Sequence, residues 1–549
     1  MKKKYLAYTL FLVLIGAACD QEMIELQDPC DVDPASCEPV VPTCPDGASA
    51  GSINLTKFVA MGNSYVAGFQ AAALFNDGQA SSLAEMLATQ FECVGGSTTF
   101  NQPSINSVNG YNPLSSVPGV ITLGRNILFD PDGSGPRTAA PYPAGFPGSA
   151  VTCPSAVTTP PLPAPYNTAD LPAAFTGDKA ALNNFGVPLI YLGQALTPAT
   201  GNPASGSIFN PWWARFATEP GVKSILQDAL TAGGSFYLIW YGFDDVLLYA
   251  ATGADGYSAG TYPMTSQAAF DGQYDALIGN MLAANPVFKG VVGNIPNFTS
   301  LPYFFTVKWN QLQLSETQVT SLAPLKTGYN GALQQLRTNG IITEQELNKR
   351  LIDFKVYNSA DASTATGILL VDSTLTDLSP YFPAELDHMA KARQAVSTDL
   401  VPLAAGSVLG TCNGSAQAIF GVSYPVADRY ILTIEETTAI LTRTAEFNAT
   451  INDAVSNSNN RLALANVNTA YANLVTAQLM AVDGVFISPS FAPPTGIYSE
   501  DGLHPNNRGY AFTANVFIDA INAKFGASIP KVNLATKSIT KLPVNPATP

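Results

Sequence analysis

The sequence predicts an α/β protein built on an open, mostly parallel sheet, and three observations lead there. Short apolar runs of strand length are well separated along the chain. Helical hydrophobic patterns lie between several of them, and strands alternating with helices favour parallel pairing. The body of the chain also opens on a strand, a tight turn and a helix, in that order.

The elements follow in sequence. Phe58-Val59-Ala60-Met61 is a continuous apolar run, suited to a strand buried on both faces. Gly62-Asn63 breaks it. Leu83, Met86, Leu87 and Phe91 then recur at helical spacing and mark an amphipathic helix. Further strand candidates are Phe236 to Trp240, Val291 to Gly293, Ile368 to Val371 and Val485 to Ile487. Ala514, Phe517, Ile518, Ile521 and Phe525 share one face of the last helix, and Gly526 supplies its stop.

Two regions read as insertions into this core. Residues 95–180 are rich in Pro, Gly, Ser and Asn, with Pro160-Pro161 and Pro163; they either rim a binding site or form a surface excursion. Residues 305–365 and 385–480, taken together as an insertion at about 305–480, carry helical patterns with repeated Asn, Gln and Thr and are expected to cap one edge of the sheet. The resulting plan is a signal peptide at 1–18, a Cys- and Pro-rich tether at 19–50, one domain at 51–530 and a flexible polar tail at 531–549.

Composition narrows the partners. Hydrophobic residues make up 46% and aromatics 10%, enough for a sizeable core, while charged residues are only 12%. Asp and Glu total 41 against 26 Lys and Arg, a net charge of -15, and an acidic surface repels phosphate backbones, which argues against nucleic acid. The chain carries no P-loop, dinucleotide fingerprint or zinc-type Cys/His cluster.

The N-terminus reads as an address. Lys2, Lys3 and Lys4 precede an apolar stretch from Leu6 to Ile15, too short for a membrane span and right for a signal peptide. Gly16-Ala17-Ala18-Cys19 resembles a bacterial lipobox, which implies lipidation of Cys19 and membrane attachment through that anchor; an ordinary signal peptide with a chance Cys is the plainer alternative. Asp20, Glu22 and Glu25 resemble the surface-export signals of Bacteroidota lipoproteins, so an outer-membrane position is expected. The six remaining cysteines, Cys30, Cys37, Cys44, Cys93, Cys153 and Cys412, suggest disulfides in an oxidising compartment, with at least one tether cysteine paired to the body. Sequence does not choose among their pairings.

Only two histidines, His388 and His504, are available for general-base chemistry near neutral pH. His388 lies in a polar, helix-like stretch and reads as an exposed helix residue. His504 lies in Asp501-Gly502-Leu503-His504-Pro505-Asn506, where an acid three residues before the imidazole reaches its Nδ1 on one turn. A nucleophile belongs on a sharp turn after a strand, exposed and surrounded by backbone N–H groups. Ser64, in Ala60-Met61-Gly62-Asn63-Ser64-Tyr65-Val66-Ala67-Gly68, has that placement.

These residues resemble a family. Val59 to Gly68 is similar to the first block of the SGNH (GDSL-type) hydrolases, with Asn63 where Asp is usual, and Asp501 to Asn506 is similar to their last block. Asn184-Phe185-Gly186-Val187-Pro188 resembles the second block and Trp240-Tyr241-Gly242-Phe243-Asp244-Asp245-Val246 the third; Gly293 to Asn297 through Pro302-Tyr303 resembles a strand and loop of larger bacterial members. The resemblance implies a three-layer α/β/α sandwich and ester hydrolysis through an acyl-enzyme, with Ser64 as nucleophile, His504 as base and Asp501 as orienting acid. The implied substrates are acyl esters of lipids or carbohydrates, with no metal or organic cofactor. The implied oxyanion-hole positions are Ser64, Leu189 and Asp244. Leu189 stands where the family has Gly, and keeps a backbone N–H. Asp244 stands where the family has an Asn amide, and a carboxylate only accepts; it serves only if burial keeps it protonated. Asp245 is expected to be structural. The contrasting reading is a binding protein for glycan or lipid on a catalytically weakened hydrolase fold, and the blandest is a structural envelope lipoprotein.

Overall fold

Five short segments pair into one parallel sheet: β1 (Phe58–Gly62), β2 (Asn184–Gly186), β3 (Phe236–Trp240), β4 (Lys289–Gly293) and β5 (Leu462–Ala465). Their spatial order is β2-β1-β3-β4-β5, and every neighbouring pair is parallel. All residues of β1 and β3 are buried. A parallel strand covered on both faces has no reason to alternate, and these two were therefore legible as continuous apolar runs.

The computed structural model describes residues 44–108, 110–112, 122–123, 174–255, 262–414 and 418–539. The chain divides into two units, Met1–Pro45 and Asp46–Pro549. The fold resides in the second. The expected signal peptide, Cys19, Cys30, Cys37, Cys153 and much of the 95–180 stretch lie outside the described residues, as do residues 540–549. Cys44, Cys93 and Cys412 are each disulfide-bonded. Among the described residues no helix is long and apolar enough to cross a membrane.

Helices flank the sheet. Those that bear on the site are α1 (Ser64–Ala67), α2 (Leu83–Glu92), α3 (Leu192–Leu196), α4 (Ile225–Thr231), α5 (Asp244–Ala251), α6 (Gln267–Ala284), α7 (Ile434–Ser456) and α8 (Asn507–Phe525). The apolar stripe of α2 seats Phe91 edge-on against Phe58 (4.9 Å) and Phe236 (5.7 Å). On α8, Phe517 packs against Trp240 and Phe525 against Phe236; Gly526 ends that helix in the left-handed region, as its position predicts. α4 packs on β1, α7 on β5, and α6 bridges α3 and α7.

Two expected strands form outside the central sheet. Leu369–Val371 pairs antiparallel with Ala392–Gln394. Val485–Ile487 pairs antiparallel with Met480–Val482 across Asp483-Gly484, both at positive φ, a favoured two-residue hairpin turn. The sheet is completed instead by β2 and β5. β5 falls inside the stretch read as helical insertion, because Leu-Ala-Leu-Ala is made of good helix formers and only its parallel pairing with β4 makes it a strand. Both ends of the domain are also more ordered than their composition suggests. Ser52 N–H donates to Phe525 O (3.0 Å) and Ser528 N–H to Ser49 O (2.8 Å), so part of the expected tether already packs on the body. Val532 and Leu534, in the expected flexible tail, are buried, and the Asn515 amide bonds both the N–H and the C=O of Val532.

Candidate active site

The C-terminal ends of three strands align in one row: Gly62 of β1 is in register with Gly186 of β2 and with Trp240 of β3. Ser64, Leu189 and Asp244 follow these three ends. The strand order reverses between β1 and β3, and in open parallel sheets the crevice beyond such a reversal is where ligands bind. Glycine is required at position 62, since a Cβ there would sit 2.5 Å from Trp240 O and 2.7 Å from Val66 Cγ2. Asn63 caps α1, its Oδ1 accepting the Tyr65 N–H (3.1 Å), while its Nδ2 is buried and unpartnered. Ser64 is the first residue of α1, and its own N–H makes no hydrogen bond among the described residues.

The turn after β2 faces Ser64. Leu189 N–H donates to Ser64 Oγ at 3.1 Å. Leu189 adopts φ +54°, so the turn keeps its left-handed geometry without glycine, at a cost of about 1–2 kcal/mol. Two adjacent carboxylates clamp that turn from α5. Asp244 Oδ2 accepts the Ile190 N–H (3.0 Å), and Asp245 Oδ2 accepts the Leu192 N–H (2.9 Å). Asp245 Oδ1 also accepts the Thr265 hydroxyl (2.7 Å), consistent with the structural role expected of it.

Asp501 and His504 arrive from the loop before α8. His504 Nδ1–H donates to Asp501 Oδ2 at 2.8 Å. Asp501 Oδ1 accepts the N–H groups of Leu503 and His504, each at 2.8 Å, and Oδ2 accepts the Ala72 N–H at 2.7 Å. Ser499 Oγ accepts the Ala71 N–H (2.8 Å) and lies 3.2 Å from Asp501 Oδ1. Tyr65 OH donates to Leu503 O and Tyr510 OH to Phe69 O, both at 2.7 Å. Residues 65–72 and 499–510 are therefore stapled together around Ser64. Phe69 and Tyr65 wall the His504 ring at 4.8 and 5.5 Å between centroids.

Ser64, His504, Asp244 and Asp501 are all buried. Ser64 and His504 share this surround but no direct hydrogen bond between them is present; the hydrogen bond to Ser64 Oγ comes from Leu189. Catalytic contacts of this kind commonly tighten only when substrate is bound. Burial alone would raise the Asp501 carboxyl, but the charge of His504 and the hydrogen bonds from His504 and Leu503 hold it below the usual range. Burial pushes Asp244 up to about 7 against the opposing pull of His504 and the Ile190 N–H, and Asp245 adds to the rise. Burial likewise raises Asp245 to about 6, against its bonds to Leu192 and Thr265. His388 is half-buried rather than exposed, its ring stacked 4.8 Å from Tyr424. The described residues hold no group of three or more His, Cys, Asp or Glu able to bind a metal.

Sequence reasoning missed Ala71 and Ala72. Both sit at positive φ, 48° and 61°, and both donate to the acid loop. Alanine carries no signal for such a conformation, so neither position could have been singled out. Thr265 was missed for a simpler reason, since a lone hydroxyl before a helix reads as a cap. Comparison with family models, with curated proteins and with solved structures finds no match to this chain.

Proposed function

We propose that the chain is a serine ester hydrolase of the SGNH (GDSL-type) kind on a three-layer α/β/α sandwich, exported and held at the outer membrane through Cys19. The observation that carries this reading is the meeting of two half-sites: Ser64 Oγ under the Leu189 N–H, and the His504–Asp501 pair hydrogen-bonded to the residues that follow Ser64. In the reaction, Ser64 Oγ attacks the ester carbonyl and His504 Nε2 takes its proton. Asp501 fixes the Nδ1–H tautomer and balances the imidazolium. His504 then protonates the departing alcohol, and water, activated by the same imidazole, releases the acyl group from Ser64. Acyl esters of lipids or carbohydrates are the substrate class.

The test is turnover of p-nitrophenyl acetate by the full-length protein in detergent, beside Ser64→Ala and His504→Ala. The reading expects both variants to fall to the buffer rate. Equal rates from parent and Ser64→Ala would sink it. One observation favours the second reading, a binding protein on this fold: the turn facing Ser64 is held by a carboxyl, Asp244, which in its ionised form would oppose an oxyanion there. Saturable glycan or lipid binding without Ser64-dependent turnover would favour that alternative.

A further inference from the structure

Pro188 and Leu189 are the two central residues of the turn after β2. Proline fixes its own φ at about −65°, and Leu189 follows at φ +54°. That succession is the type II arrangement, whose second central position favours glycine. The related type I turn differs by a flip of the peptide between the two central residues, and it would give Leu189 an ordinary negative φ. The same flip would turn the Leu189 N–H away from Ser64 Oγ, to which it now donates. Leucine left to itself therefore favours the orientation in which this contact is lost.

Asn210 holds the peptide against that flip. Its Nδ2 donates to Pro188 O at 3.0 Å and reaches Leu189 O at 3.4 Å. Pro188 O and the Leu189 N–H are the two ends of one planar peptide unit and point in opposite directions. A grip on the oxygen thus aims the hydrogen. It also polarises the amide, which strengthens the N–H as a donor. Asn210 is itself fixed. It is buried, and its Oδ1 accepts the N–H groups of Trp212 (2.9 Å) and Trp213 (3.3 Å) at the start of the short helix Pro211–Ala214. With the oxygen engaged there, the amide nitrogen must face the turn. The neighbouring N–H groups are held elsewhere, Val187 by Gly62 O, Ile190 by Asp244 and Leu192 by Asp245, and none of these bonds grips the Pro188–Leu189 peptide.

Resting on the hydrolase reading, we infer that Asn210 is a positioning residue for ester hydrolysis: by gripping Pro188 O it locks the Pro188–Leu189 peptide with its N–H aimed at the reacting centre. That N–H then meets the charge developing on the ester oxygen without reorganising. Asn210 supplies through a hydrogen bond the conformational preference that a glycine at position 189 would supply by itself. It acts through Leu189 and takes part in no proton transfer.

The experiment measures p-nitrophenyl acetate hydrolysis by the full-length protein in detergent. Asn210→Ser is read in the parent and again in a Leu189→Gly background, with Ser64→Ala as the blank. Serine keeps a cap for the Trp212 and Trp213 N–H groups and deletes the amide donor, so the substitution separates the two halves of the side chain. In the parent it should lower kcat about tenfold, because an unheld leucine leaves the left-handed region by roughly that ratio, while KM stays within a few-fold. In the Leu189→Gly background the same substitution should cost about threefold or less, since glycine takes positive φ unaided. A merely structural Asn210 would cost the same factor in both backgrounds. That result, or an undiminished kcat in Asn210→Ser, would overturn the positioning role while leaving the hydrolase reading intact. If the parent shows no Ser64-dependent turnover, the hydrolase reading fails and the positioning role with it. Should Asn210→Ser unfold, as a thermal melt would reveal, Asn210→Asp, which also caps and also lacks the donor, decides in the same two backgrounds.

Discussion

Asp501 and Asp244 are both buried carboxyl groups at the same site, yet their surroundings shift them in opposite directions. Asp501 accepts N–H groups from Ala72, Leu503 and His504 and the His504 ring, and is held below the usual carboxylate range. Asp244 accepts one N–H, from Ile190, and is pushed up to about 7. Burial acts in the same direction on both. The number of donors aimed at each, and the direct hydrogen bond from the imidazole to Asp501, set the direction of each shift. A triad needs the first as an anion. An oxyanion hole is served only by the second as an acid.

The largest expected effect comes from breaking the charged member. Asp501→Asn should lower kcat on p-nitrophenyl acetate about 10⁴-fold, by presenting the wrong tautomer of His504. A loss under tenfold would mean that His504 is not oriented by this acid.

The member with the raised carboxyl is tested through stability. A carboxyl raised above its ordinary value of 3.8 contributes fully to stability below that value and loses the contribution as pH rises through about 7. Thermal melts of Asp244→Asn and parent should therefore diverge between about pH 4 and pH 7, the variant becoming relatively more stable, by at most about 4 kcal/mol. A gap independent of pH would mean that Asp244 is ionised throughout.

A smaller effect is expected at Ser499. Ser499→Ala leaves the Ala71 N–H without its acceptor and should cost about 1–2 kcal/mol in denaturant unfolding, with the acid limb of the rate profile moving to higher pH as Asp501 loses a neighbouring hydroxyl. The smallest belongs to Leu189→Gly, which relieves a left-handed leucine and should change stability by no more than about 1 kcal/mol, with turnover retained because the N–H remains. Loss of turnover there would show that the leucine side chain, and not its backbone, matters.

The same contrast explains what could be read from the chain in advance. β1 and β3 were legible because a doubly covered strand is a plain apolar run. The Asp501–His504 contact was legible because its geometry is local, three residues on one turn. The turn that carries Ser64 was legible because Gly62-Asn63 must break a strand there. The unread parts depend on distant partners. β5 is a strand only because β4 lies beside it. Ala71 and Ala72 matter only because the loop before α8 docks on them. The tail looks polar, yet Leu534 finds a buried seat. The charge state of Asp244 likewise follows from burial and neighbours that no local pattern records.

The central claim, that Ser64 is a nucleophile activated by His504, is tested most directly by reacting the full-length protein with a fluorophosphonate and mapping the adduct by peptide mass. The account predicts one phosphonylated site, on Ser64, with labelling abolished in Ser64→Ala and slowed by orders of magnitude in His504→Ala. Labelling at another residue, or none in a folded parent protein, would contradict it.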